Sequence, residues 1–148
     1  MSAGMLTEKA QEILQPVAQI AAQSSVANLL SGAVDMKNVS RLFAVLNIGV
    51  ITATGTLDAK LTQAVTAAGT YKDVTGKAIT QLTAAADSNP GKPIIIEMRA
   101  SELDVVNGYR FVKLSVTGAV AATLYSASLF AIYDYLPVDP TLWKQAVG

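Results

Sequence analysis

The sequence predicts an all-β protein: an antiparallel β-sandwich, jelly-roll-like, preceded by an N-terminal helical or extended arm. Three observations predict it. Apolar and polar residues alternate with period two in several runs, as a half-buried strand requires. Turn residues separate those runs at regular intervals, the pattern of a sandwich or barrel. The apolar content is 51% but only 6% is aromatic, so small and β-branched side chains fill the core.

The elements follow in order. Thr7-Glu8-Lys9-Ala10 has the form of a helix start, with Leu6, Ala10, Ile13 and Leu14 at helical spacing. Pro16 then discourages continuation. From Val17 to Leu30 the chain is rich in Ala, Gln and Ser, and neither period prevails. Two roles stand for this segment: an arm lying on a neighbouring subunit, or an element packed on its own core. Residues 1–34 are assigned to the arm, 35–136 to the sandwich and 137–148 to a tail. A sandwich of six or seven strands already closes its two inner faces. Deleting residues 1–32 is therefore expected to leave it folded.

Arg41–Ile51 puts Leu42, Ala44, Leu46 and Ile48 on one face, with Phe43 and Val45 on the other. Thr56–Gln63 alternates strictly, with Leu57, Ala59 and Leu61 inward. A short strand is expected over Ala78–Leu82, after the turn at Gly76. Asp87-Ser88-Asn89-Pro90-Gly91 is the clearest turn. Pro93–Arg99 is a β-branched strand, and Ser101–Gly108 a polar loop. Tyr109–Thr117 turns Val112, Leu114 and Val116 one way. In Thr123–Tyr133, Leu124, Phe130 and Ile132 share one face and Tyr125, Leu129 and Tyr133 the other. Leu46, Leu61, Val112, Leu114 and Phe130 are expected in the core.

The composition narrows the chemistry. Lysine plus arginine is 11 and aspartate plus glutamate is 11, for a net charge of zero. A general nucleic-acid binder carries a basic excess, so no nucleic-acid partner is expected. There is no cysteine and no histidine. Disulfides, thiolate sites, imidazole ligands and Ser-His-Asp catalysis are thereby excluded. No phosphate-binding glycine loop is present, because Gly49 and Gly55 are too far apart. We expect no enzyme activity, no cofactor and no metal. Leu114–Tyr133 is uncharged over a membrane-spanning length, but its polar residues fall in a β-like alternation, so no membrane span is expected. No signal peptide is apparent before Glu8, Lys9 and Glu12.

Few residues invite a site. Glu102 and Asp104 form an acid pair that suits a solvated loop better than acid–base work or a hard-cation site. Glu97 and Arg99 share a strand face as an exposed pair. Asn38-Val39-Ser40 matches a glycosylation sequon by spacing alone. Charged residues are 15% of the chain, against roughly 25% in an ordinary soluble domain. Low charge accompanies protein contact surfaces. The interface candidates are accordingly the apolar arm residues Leu6, Ile13, Leu14, Val17, Ile20, Leu29 and Leu30, with Trp143, the sole tryptophan, as an anchor in the tail.

One resemblance covers about two-thirds of the chain. Val34-Asp35-Met36-Lys37-Asn38 precedes an apolar strand ending Ile48-Gly49. Gly55-Thr56-Leu57-Asp58-Ala59-Lys60-Leu61, Tyr71-Lys72-Asp73-Val74-Thr75-Gly76 and Tyr109-Arg110-Phe111-Val112 follow. The pattern resembles small virion structural proteins of tailed bacteriophages and prophages, including capsid decoration (cement) and related head proteins. The resemblance implies a virion structural role on a β-sandwich and does not fix the position in the virion. We read the chain as a decoration protein made in the bacterial host cytoplasm and placed on the phage head surface, where it would bind the major capsid protein and stabilise the shell. Low charge, many small apolar residues and the apolar N-terminal segment suggest a homo-oligomer, a trimer. Another virion component, such as a tail or fibre-base protein, including a glycan-binding one, is the alternative.

Overall fold

The computed structural model describes residues 9–134 and 140–145. A single helical turn, α1 (Ala10–Ile13), opens it. Its first free amides are served by Glu12, whose carboxylate accepts the Lys9 N–H at 2.8 Å. Pro16 then stands inside an extended strand, β1 (Gln15–Ser25). The segment after the helix is therefore extended rather than helical. β1 lies at a sheet edge, where a residue without an N–H is tolerated, and the ladder shifts register between Pro16 and Ala18.

The other strands are β2 (Asn28–Leu30), β3 (Val34–Asp35), β4 (Val39–Ile51), β5 (Thr56–Ala64), β6 (Lys72–Ala78), β7 (Leu82–Thr83), β8 (Ile94–Arg99), β9 (Phe111–Ala119) and β10 (Thr123–Tyr133). They form two antiparallel sheets. The first has the order β1-β10-β4-β8. The second has the order β2-β9-β5-β6, with β3 also on β9 and β7 also on β5. β2 with β3, and β6 with β7, are thus two halves of interrupted strands. Counted so, the first strand pairs with the eighth, the second with the seventh, the third with the sixth and the fourth with the fifth. That is one long antiparallel ribbon, folded so that its successive pairs alternate between sheets. It is the topology of a jelly roll.

The break between β2 and β3 is bridged by a side chain. The Ser31 N–H donates to the Leu114 carbonyl and the Leu114 N–H donates to the Ser31 hydroxyl, both at 2.9 Å. Ser31 is buried, so the hydroxyl satisfies a ladder amide that would otherwise be orphaned. At the other end of β9, a side chain at Gly118 would put its Cβ 2.5 Å from the Ser25 carbonyl. Only glycine lets the β1–β2 corner cross there.

The core lies between the sheets. Leu42, Ala44 and Leu46 of β4, Leu57, Ala59 and Leu61 of β5, and Val112, Leu114 and Val116 of β9 all point inward and are buried. The alternation read from the sequence holds in these strands. On β10 the buried set is Thr123, Tyr125, Ala127, Leu129 and Ala131. Phe130 therefore corrects the expected core: it faces outward.

A second correction concerns the arm. Residues 15–30 are not separate from a sandwich beginning at Asp35; they supply an edge strand to each sheet. Ile20 is a core residue, and Val17 and Leu29 pack against the core. Leu114–Tyr133 forms most of β9 and β10 with a turn between them. Among the described residues, no helix is long and apolar enough to cross a membrane.

Charge guards the open edge of β8. The Lys77 ammonium donates to the Glu97 carbonyl at 2.8 Å and pairs with Glu102 at 2.9 Å, and Glu102 accepts the Arg99 N–H at 2.7 Å. Backbone groups that could template another strand are so occupied by side chains.

Candidate functional site

The outer face of the β1-β10-β4-β8 sheet carries an aromatic row. Phe43 and Phe130 are direct cross-strand partners, and their rings stack with centroids 5.5 Å apart. Trp143 lies on Phe130 at 6.0 Å, its plane tilted by 31°. The tail segment Pro140–Leu142, a 3-10 turn, brings the indole there. Between Trp143 and β1 runs a cleft of about 420 Å³, floored by Pro16–Gln19, Ser128 and Phe130 and walled by Leu142, Trp143 and Lys144. The Trp143 indole nitrogen is buried without a hydrogen-bond partner among the described residues. The sequence singled out Trp143 as an anchor; the structure seats it on its own sheet.

The two ends of the sandwich differ in kind. At one end the ladders bring together the loops after β1, β4 and β9. Val26 is 57% exposed there, Val120 79%, and Val50 and Leu124 are also open. Leu124 lies over Gly49, where an added Cβ would stand 3.1 Å from it. These exposed apolar side chains share the end with the Ala84–Asp87 turn and the residues after it, where the Ser88 hydroxyl accepts the Ile51 N–H at 3.1 Å and the Asn89 N–H donates to the Gly49 carbonyl at 2.9 Å.

The opposite end is laced with charge. Asp104 accepts from Lys72 at 2.6 Å and from the Asn107 amide, while its own N–H donates to Gln63 at 2.8 Å. The Lys72 ammonium also sits 4.0 Å over the Tyr109 ring. Gly108, at φ 77°, closes the 3-10 turn Val105–Asn107. The network holds this loop so that Val106 projects, 98% exposed. Nearby, Arg110 grips Asp35 with two nitrogens, one at 2.6 Å, fixing β3 beside β9.

The residues chosen from the sequence are scattered by the fold. Leu6 lies outside the described residues. Ile13 and Leu14 are half-buried at the start of the chain. Ile20 is inaccessible in the core, which corrects its choice as an interface residue. Leu30, at 53%, stays exposed. Glu102 and Asp104 are not a pair: each is held by its own lysine. Glu97 pairs with Arg41 at 2.8 Å, not with Arg99. The exposed valines at the ends escaped the sequence reading because they lie in loops or at a strand end and follow no period.

Three carboxyls titrate below their ordinary range. The Arg110 hydrogen bond lowers Asp35, the Arg99 amide and then Lys77 lower Glu102, and Lys72 and then Asn107 lower Asp104. A depressed carboxyl stabilises the fold above its unfolded value and loses that contribution as pH falls through the folded one. The ordinary values are 3.8 for Asp and 4.5 for Glu. The melting temperature is expected to hold from neutrality to about pH 4.5 and to fall below it. Asp35→Asn with Asp104→Asn flattens that fall. An unchanged acid limb in the double variant overturns the assignment.

No protein-family model matches this chain, and no curated protein matches it either.

Proposed function

We propose that this chain is a bacteriophage head decoration protein that binds the major capsid protein and reinforces the shell. The observation that carries the proposal is the group of exposed apolar side chains at one end of the sandwich, Val26, Val50, Val120 and Leu124. An apolar surface of this kind, left open in the free subunit, suits protein contact. A shell repeats one contact many times, so a modest area per site suffices. Binding to the assembled shell stabilises it by mass action, because the assembled surface is what is recognised. A trimer on a local three-fold presents three such ends at once and gains avidity. The jelly-roll topology and the virion resemblance of the Asp35–Tyr133 pattern agree with this reading.

The test is co-sedimentation with undecorated heads of the phage that carries the protein. Wild type is expected to bind saturably, with a scattering mass of three chains. Val26→Asp with Val120→Asp is expected to weaken binding at least about tenfold, the equivalent of roughly 1.4 kcal/mol. Both sites are exposed, so the melting temperature stays within a few degrees. A folded double variant that binds like wild type removes this end as the contact. Wild type that does not sediment with heads removes the proposal.

A further inference from the structure

We infer that the cleft between Trp143 and β1 binds an acidic saccharide. The inference does not depend on the capsid reading. It starts from the groups that line the cleft. Lys144 brings an ammonium, Gln19 an amide and Ser128 a hydroxyl. Among the described residues no carboxylate lines it. The amide and the hydroxyl each donate and accept, and the lysine gives the set one positive charge, so its complement is polar and carries a negative charge. The floor is different in character: Pro16 and the Phe130 ring give an apolar surface. A sugar ring has both properties, a C–H face for the aromatic floor and oxygens around its rim. A carboxylate on that ring meets Lys144. The volume, about 420 Å³, lies within the range of small-ligand sites.

The unpaired indole nitrogen is the independent observation. A buried N–H without an acceptor is costly, and most such groups find one. The Trp143 nitrogen has none among the described residues. It is also out of reach of water, so a ligand oxygen meets it only as the Leu142–Lys144 segment shifts. That shift changes the surroundings of the indole. Because Trp143 is the only tryptophan in the chain, its fluorescence reports on this cleft alone.

The experiment titrates the full chain with trigalacturonate while tryptophan emission is followed. The expected result is a saturable change with half-saturation at about 1 mM or below. The methyl ester of the same trisaccharide, which lacks the charge, is expected to bind several-fold more weakly. Lys144→Gln and Gln19→Ala lie at exposed positions, leave the fluorophore in place and are each expected to reduce the affinity several-fold. Absence of any saturable change overturns the inference. Equal binding of acid and ester, or wild-type affinity in Lys144→Gln, overturns the role given to the charge. Tighter binding of an acidic tetrapeptide than of the sugar overturns the ligand class. Because no capsid takes part, these outcomes are distinct from those of head binding.

Discussion

A chain lacking residues 1–32 is expected to show no cooperative unfolding transition and to aggregate. The deletion removes β1 and β2, and with them one edge of each sheet. β1 pairs with one edge of β10 from Gln15 to Ser25. Ile20 leaves the core, where burial of such a side chain contributes about 1.5–3 kcal/mol. Ser31 leaves the Leu114 amide unpaired in the interior. Each loss is a sizeable part of a net stability of about 5–15 kcal/mol, and together they exceed what a sandwich of this size holds in reserve. The exposed edges of β9 and β10 then offer templates for association. Circular dichroism on heating, with light scattering, checks this. A truncated chain that melts cooperatively within a few degrees of the full one would show that the sandwich is complete without its first two strands.

Leu114→Ala is expected to cost about 2–5 kcal/mol, the range of cavity-forming changes in tight cores. Leu114 is fully buried and lies opposite Leu61 in the β5–β9 ladder. The neighbours belong to long regular strands and cannot close the space. Val106→Ala serves as the control: a valine 98% exposed should change stability by less than about 0.5 kcal/mol. Urea denaturation measures both, and the comparison holds only with equal m-values. A Leu114 variant as stable as the Val106 one would mean that β9 does not present this residue to the core.

The central strands were legible because one of their faces is buried and the other is not. Leu57, Ala59 and Leu61, or Val112, Leu114 and Val116, alternate with polar residues, and the register follows. β10 was ambiguous for a definite reason. Its outward positions include Phe130, which Phe43 and Trp143 cover, so both faces are apolar and parity alone could not choose. β1 was illegible because a long stretch of it, Ala21–Ser24, is exposed at an edge and has no apolar face to repeat. Its extended state comes from pairing with β10, a partner over a hundred residues away in sequence. The strand expected over Ala78–Leu82 lies instead at Lys72–Ala78, with a two-residue continuation at Leu82–Thr83. The Ile79 N–H still reaches the Ala59 carbonyl at 2.9 Å across that break. Nothing local marks it. The cleft was out of reach for the same reason, since Trp143 meets Pro16 only through the closed topology.

The pairing of the first strand with the last bears on how the chain comes to be folded in a cell. As the polypeptide emerges during synthesis, β5 can meet β6, and β4 can meet β8, while the remainder is still being made. β1 has no ladder until β10 has been translated, and β2 has none until β9 has. The N-terminal strands therefore wait, unpaired, for most of the translation time. Contacts of such sequence separation are also slow to close. An unpaired strand that waits is safest when it is polar and broken by proline. The Gln-, Ala- and Ser-rich composition of β1 around Pro16, which hid it from pattern reading, is suited to that delay.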